Sequence, residues 1–278
     1  MRRLLASAVL LVSAVLPAQQ EKTPPLAGVA HIALRVRSLD SSISFYKSLG
    51  YEEAFNLKAK DGSVRESFIK INDHQFIELY PADPENSIIG FLHVCFEGED
   101  LEAIHDDYVA HGLTPTSVRK AGAGNLLFTL KGPIDANGAA QNLEYTQYQP
   151  GSLHSNDQGK HLGEDRVADT IGVVAIALRD PAAGRDFYIN QLSFKPIAGD
   201  PMFLHMPGNS GQEIQLTTAE SLGPKARFTL RTASLGKAAR LLRKHDIKPL
   251  KSSDTLTISD PDGNQIMIRE WEKSSLNP

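Results

Sequence analysis

The feature that most constrains the fold is an internal repeat. Residues 29–35 read VAHIALR, and residues 173–179 read VVAIALR. Each copy leads to a Phe-Tyr pair, Phe45-Tyr46 in the first half and Phe187-Tyr188 in the second. Such self-similarity indicates that one structural unit has been duplicated. We therefore expect two related halves.

Each half divides again into two smaller units. A short apolar run of period two is followed four times by a polar residue that can start a helix, and then by further strand-like runs. The four helix starts are Asp40, Asp100, Asp180 and Ser234. Residues 150–169 are polar and show neither periodicity, which is typical of a linker. The pattern predicts an α+β protein with four βαβββ modules, two in a domain at residues 27–149 and two in a domain at residues 170–272.

The charge distribution does not favour a nucleic-acid partner. The net charge is −4 over 278 residues, and Lys and Arg are scattered along the chain. Proteins that bind nucleic acids usually gather basic residues on one face. A small-molecule substrate is the expected partner, and the protein is expected to be a monomer or a homodimer.

The N-terminal residues have the pattern of a secretory signal. Met1-Arg2-Arg3 precedes an apolar run that ends at Leu16, and this run is too short to span a bilayer. Residues 1–18 are therefore predicted to be a cleaved signal peptide, which implies a periplasmic or secreted protein without a stable membrane anchor. Cys95 is the single cysteine, so no intramolecular disulfide can form.

Strand alternation places four side chains of metal-binding type on one face. Neighbouring residues of a strand point to opposite sides of the sheet. The apolar neighbours of each of the four take the side that packs on helices. His31 and His93 lie on the first strands of the first two modules, and Glu78 and Glu144 lie on the last strands. We expect the four side chains to converge.

Two imidazoles and two carboxylates make a borderline set of nitrogen and oxygen ligands. The set suits one divalent ion, such as Fe, Mn, Ni, Co or Zn, and leaves positions for water or substrate. An open site of this kind is typical of catalysis, whereas structural zinc favours a closed set of Cys and His. The sequence thus predicts one catalytic metal site.

At these residues the chain resembles the vicinal oxygen chelate superfamily, which includes glyoxalase I, bleomycin-resistance proteins and extradiol dioxygenases. The matching motifs are VAHIALRV, SFYKSLGY, FIELY, FLHVCF and DPDGNQIMI. The resemblance implies that modules pair into two cup-shaped antiparallel sheets. It also implies a metal in the first cup, held by His31, Glu78, His93 and Glu144.

The second half lacks the complete ligand set. At the four corresponding positions, the repeat alignment places Ala175, Gln215, Arg227 and Met267. We therefore expect a second cup without metal.

The resemblance leaves three classes of function open. With both carboxylates bound, the set is similar to glyoxalase I, and Glu144 or Glu78 would also be the catalytic base beside a carbonyl. With only His31, His93 and Glu144 bound, the set is similar to the triad of extradiol dioxygenases. A metal-free protein that binds an antibiotic is the third class. The expectation is a lyase or isomerase that enolises a small molecule with vicinal oxygens, and the dioxygenase is the first alternative.

Further residues are expected near the first cup. Those predicted to contact substrate are Arg35, Phe76, Tyr80 and Cys95. His154 and His161, in the polar segment between the halves, could reach the cup or bind a second metal. The polar composition of the segment favours solvated side chains instead.

Overall fold

The order of strands and helices follows the predicted repeat. In the computed structural model, which describes residues 23–270, three helices accompany the first sheet: α1 (Leu39–Ser48), α2 (Leu101–Ala110) and α3 (Leu153–Asn156). The sheet itself has eight strands: β1 (Leu26–Val36), β2 (Glu52–Lys58), β3 (Val64–Lys70), β4 (Phe76–Pro81), β5 (Gly90–Gly98), β6 (Arg119–Lys120), β7 (Leu126–Ile134) and β8 (Ala140–Gln147).

The second half repeats this arrangement. Its helices are α4 (Pro181–Leu192), α5 (Ala219–Leu222) and α6 (Leu235–Lys244). Its strands are β9 (Thr170–Leu178), β10 (Lys195–Ile197), β11 (Asp200–His205), β12 (Glu213–Thr218), β13 (Arg227–Thr232), β14 (Leu250–Lys251), β15 (Thr255–Ser259) and β16 (Gln265–Glu270). The predicted α+β fold of four modules is confirmed.

The predicted signal peptide, residues 1–18, lies outside the described residues. Among residues 23–270, no helix is long and apolar enough to cross a bilayer.

Both sheets have the same strand order. It is β2-β3-β4-β1-β5-β8-β7-β6 in the first and β10-β11-β12-β9-β13-β16-β15-β14 in the second. The first strands of paired modules, β1 and β5, are antiparallel neighbours at the centre. The expectation of antiparallel sheets needs one correction, because β1 pairs with β4, and β5 with β8, in parallel. One helix and two strands lie between β1 and β4, so the chain reverses direction four times and β4 runs in the direction of β1 again.

Local capping explains where the four long helices begin. Asp100, Asp180 and Ser234 accept backbone N–H groups of the first turn, as their types predict. Helix α1 differs from the prediction, because its N-cap is Ser38, whose side chain accepts the N–H of Ser41. Asp40 lies within the first turn, where a negative charge is favourable for the helix dipole.

Two buried glutamines join the sheets where β1 and β9 lie close together. Gln75 donates to the carbonyl groups of Val29 and Ile171, and its Oε1 accepts the Ile171 N–H at 2.8 Å. Gln212 accepts the Val29 N–H at 2.7 Å and donates to the Ile171 carbonyl. Backbone groups at the start of both strands are thereby satisfied inside the protein.

The segment at residues 150–169 packs against the first sheet. Lys70 on β3 is fully buried and lies 2.9 Å from the Asp157 carboxylate. The Gly159 N–H donates to Asp73, and Arg166 donates to the carbonyl of Ile71. These bonds fix the path of the segment along one end of the first cup.

Candidate metal centre

The four predicted ligands lie on the four central strands of the first sheet. The register places Ala33 of β1 opposite both Glu78 and His93. In the same way, Cys95 of β5 is paired with both His31 and Glu144. Since side chains alternate along each strand, all four ligands emerge on one face. The structure therefore brings together the residues that the sequence singled out.

The two imidazoles and the Glu144 carboxylate meet at one point. Nε2 of His31 lies 3.2 Å from Nε2 of His93 and 3.4 Å from Oε1 of Glu144. Nε2 of His93 lies 3.8 Å from the other oxygen of Glu144. Glu78 approaches from the opposite side of the His31 ring, with Oε1 3.1 Å from Nδ1 in an orientation that makes no hydrogen bond.

Burial disfavours charge on each of these groups. Desolvation lowers the pKa of His31 well below its usual value, and it lowers the pKa of His93 to about 4. Desolvation and the neighbouring Glu144 raise the pKa of Glu78 well above its usual value. Desolvation also raises the pKa of Glu144 to about 7. A divalent cation would stabilise this arrangement, because it binds neutral imidazoles and supplies the positive charge that the buried carboxylates lack.

The donor set fits a metal ion in composition and spacing. The ligand atoms of His31, Glu78 and His93 lie within 4.8 Å of one another, and so do those of His31, Cys95 and Glu144. Two nitrogen ligands that occupy adjacent positions about 2.1 Å from one ion lie about 3 Å apart, and the Nε2 atoms of His31 and His93 are 3.2 Å apart. His31 belongs to both groups, which makes it the central ligand of the candidate site.

A cavity of about 310 Å³ is lined by three of the four candidate ligands, His31, Glu78 and Glu144. Its wall includes Tyr80, whose hydroxyl donates to Oε2 of Glu78 at 2.9 Å. Two arginines, Arg65 and Arg119, also line the cavity, and Arg65 is paired with Glu66 at 2.9 Å. The cavity therefore offers space for a small molecule beside the candidate ligands.

His154 lines this cavity, so the favoured expectation of a solvated side chain at this position is wrong, and the alternative that it reaches the first cup is correct. It belongs to α3, and only 3% of its surface is exposed. Its ring lies 4.5 Å from the Tyr148 ring in a stacked arrangement and meets Phe76 edge-on at 4.9 Å. Neither ring nitrogen has a hydrogen-bond partner among the described residues. His161, in contrast, is partly exposed and lies 2.5 Å from the Asp157 carboxylate.

No local pattern identified His154, because the polar composition around it resembles that of a solvated loop. The aromatic residues that receive it, Phe55, Phe68 and Phe76, come from three strands far away in sequence. The aromatic residues of β2, β3 and β4 could have indicated the burial of His154, because an aromatic face of this kind must be covered by another segment of the chain.

Burial of His154 predicts a pH-dependent stability. Desolvation lowers its pKa to about 4, whereas an unfolded histidine has a pKa of about 6.5. The unfolded state therefore binds more protons below pH 6.5, and the folded state loses stability as the pH falls. Between pH 7 and pH 5 we expect metal-free wild type to lose about 2 kcal/mol more than the His154→Phe variant.

Urea unfolding at a series of pH values measures this difference. Tyr148→Phe is the matched control, since it retains His154 and the stacked ring and should retain the wild-type slope. Parallel pH profiles for wild type and His154→Phe would contradict the prediction.

The other predicted substrate contacts lie at different distances from the cavity. Tyr80 lines it, whereas Phe76 is fully buried in the aromatic wall around His154. Cys95 is buried next to Glu144, and its thiol pKa is raised by desolvation and by nearby carboxylates. Arg35 lies outside the cavity lining, with Nη2 3.5 Å from Asn86.

The strand registers correct the alignment of the second half by two residues. His31 is paired with Cys95 on β5, and Val173 is paired with Thr229 on β13. Val173, and not Ala175, therefore occupies the position of His31. The local similarity of VAHIALR and VVAIALR produced the shifted alignment, and the pairing between strands corrects it. The residues at the four ligand positions of the second cup are Val173, Gln215, Arg227 and Met267.

Comparisons with known proteins agree with this architecture. Residues 30–129 match the family model described as the Glyoxalase/Bleomycin resistance protein/Dioxygenase superfamily. No curated protein matches the chain significantly.

Solved structures resemble nearly the whole chain. The Mn(II)-bound glyoxalase from Novosphingobium aromaticivorans has a TM-score of 0.65 at 15% identity, covering 88% of this chain and 82% of its own. A mutant of homoprotocatechuate 2,3-dioxygenase from Brevibacterium fuscum has a TM-score of 0.65 at 17% identity, covering 94% of this chain and 76% of its own. The 2,3-dioxygenase LapB from Pseudomonas sp. KL28 has a TM-score of 0.59 at 15% identity, covering 92% of this chain and 97% of its own. At these identities the likeness concerns the fold.

Proposed function

We propose that the first cup, whose residues 30–129 match the model of the Glyoxalase/Bleomycin resistance protein/Dioxygenase superfamily, is the active site of a metal-dependent lyase or isomerase. The observation that carries this proposal is the convergence of His31, His93 and Glu144 beside a cavity, with Glu78 held next to them. The substrate class is a small molecule with two adjacent oxygen atoms. A divalent cation bound to these ligands would polarise both oxygens and acidify the neighbouring C–H bond.

Glu78 is the residue best placed to move the proton. Its Oε2 accepts a hydrogen bond from Tyr80, and its pKa is raised by burial and by Glu144. A carboxylate whose pKa is raised is a stronger base once ionised, and the Tyr80 hydroxyl fixes its direction. Glu78 would take a proton from the carbon beside the carbonyl and return it to the product.

His154 supplies a second group for proton transfer. Its neutral ring lines the cavity, and both nitrogens are without protein partners among residues 23–270. A neutral imidazole can donate from one nitrogen and accept at the other. A substrate hydroxyl or carbonyl in the cavity would satisfy a buried group that the protein leaves unpaired.

Proton exchange tests this function without a known substrate. We expect Mn(II)-loaded protein to exchange the C–H protons of hydroxyacetone and related α-hydroxy ketones with D₂O, followed by proton NMR. At a saturating concentration of Mn(II), which compensates for its weaker metal affinity, the Glu78→Gln variant should still lose about 100-fold in exchange rate, the loss typical for a general base. Glu97→Gln, on β5 but outside the cavity lining, is the matched control. Equal rates in Glu78→Gln and wild type would remove Glu78 from this role.

A ring-cleaving dioxygenase is the second candidate, and one specific observation favours it. Glu78 faces Nδ1 of His31, so Nε2 of His31, Nε2 of His93 and Glu144 can act as a triad of two histidines and one carboxylate. Such triads bind Fe(II) and leave open positions. Oxygen uptake by the iron-loaded Glu78→Gln variant with a panel of catechols would establish this activity in place of the first.

The predicted signal peptide adds a proposed periplasmic or secreted location, which the N-terminal mass of the mature protein tests.

A further inference from the structure

The second cup contains a cavity of about 690 Å³ on the face that corresponds to the candidate metal centre. All four residues at the ligand positions line it: Val173, Gln215, Arg227 and Met267. The cup therefore keeps the shape of a ligand site and replaces the metal ligands with a cation, an amide and two apolar side chains.

Arg227 occupies the position of His93 and lies at the centre of this cup. Both residues pair with the same place on the neighbouring first strand, His93 with Ala33 and Arg227 with Ala175. The guanidinium of Arg227 is half-buried, and its Nη2 donates to Oε1 of Gln215 across 3.5 Å. No carboxylate of the described residues lies within ion-pair distance of it. A guanidinium has five N–H donors, so this one bond leaves most of them available.

The other charges of the cup have partners of their own. Arg231 lies 3.6 Å from Glu213, and Arg269 forms an ion pair with Asp254. Glu270, at the end of β16, accepts the backbone N–H of Leu235 at 3.3 Å. Arg227 is consequently the cation whose charge the lining does not neutralise by a direct pair.

We propose that the second cup binds a small monocarboxylate with an apolar body. The carboxylate would pair with the guanidinium fork of Arg227, which matches the geometry of two carboxylate oxygens, and with the amide of Gln215. The body would contact Val173, Phe203 and Met267, the apolar part of the lining.

The charge of the lining selects a monoanion over a dianion such as phosphate. The lining holds three arginines and three carboxylates, and Arg227 is the arginine without a direct ion pair, so a second negative charge on the ligand would meet no further uncompensated cation. The apolar side chains on the floor also favour a ligand with a hydrocarbon part, since burying them against it is favourable.

Calorimetric titration of metal-free protein with benzoate, in the presence of EDTA, tests the proposal. We expect saturable binding that weakens by about tenfold or more in Arg227→Met and is partly retained in Arg227→Lys, which keeps charge without the fork. Phosphate should bind more weakly than benzoate. Urea unfolding and circular dichroism of each variant establish that it is folded.

Two controls assign the binding to the second cup. His31→Ala removes a central residue of the first cup and should leave benzoate binding unchanged, as should Arg185→Met on α4, outside the lining of the second cup. Absence of benzoate binding up to about 10 mM, or equal affinity in Arg227→Met and wild type, overturns the proposal. Loss of binding in His31→Ala also overturns it, because the carboxylate would then occupy the first cup.

Discussion

The His31→Ala variant should lose stoichiometric Mn(II) binding, which we expect at about one ion per chain in the wild type. Nε2 of His31 lies next to both His93 and Glu144, so its removal leaves neither potential ligand group complete. Wild type at a metal concentration about a thousandfold above Kd should gain about 4 kcal/mol in free energy of unfolding, and the variant should gain almost none. Metal analysis and thermal unfolding with and without Mn(II) measure both effects.

The two carboxylates should differ in their contribution to metal affinity. Glu144 faces the point where the imidazole Nε2 atoms meet, whereas Glu78 faces Nδ1 of His31. Glu144→Gln should therefore lose stoichiometric metal binding, as His31→Ala does. The metal affinity of Glu78→Gln should fall by about 10 to 100-fold, as expected when a group that orients a ligand is removed. His205→Ala, an exposed histidine of the second half, is the control. Unchanged metal content in His31→Ala would refute the metal site.

Replacing Lys70 with methionine should destabilise the protein by about 3 to 5 kcal/mol. The Lys70 ammonium is fully buried and lies 2.8 Å from Asp73 and 2.9 Å from Asp157. Without it, the buried Asp157 carboxylate keeps its contact with the His161 imidazole but loses the ammonium, so we expect the segment at residues 150–169 to detach and solvate the carboxylate. His154, in the same segment, should then become exposed.

Urea unfolding measures the stability, and hydrogen exchange of residues 150–169 reports on detachment. Lys58→Met, on the neighbouring strand β2, is the matched control because Lys58 is exposed, and it should change stability by less than about 0.5 kcal/mol. The Lys70→Met/Asp157→Leu double variant should recover part of the loss, since it removes the unpaired charge together with its partner. A Lys70→Met protein as stable as Lys58→Met, with unchanged exchange in the segment, would show that the pair does not hold it.

Local sequence patterns were enough to predict the module order and the face of the candidate centre. Strand alternation and helix capping depend on residues a few positions apart, so His31 and Glu78 could be assigned to one face before any contact was known. The shift of the first N-cap from Asp40 to Ser38 is small for the same reason, because two competent capping residues lie within one turn.

Contacts between distant segments determine what covers the first cup and which residues line the second. His154 is buried because residues 150–169 pair with Lys70, and because an aromatic wall built from three strands receives its ring. The correspondence of Val173 with His31 likewise rests on pairing between strands distant in sequence. The burial of His154 depends on desolvation, and the correspondence of Val173 with His31 depends on the register between strands. Both arise only when distant segments meet, so a local sequence pattern does not predict them.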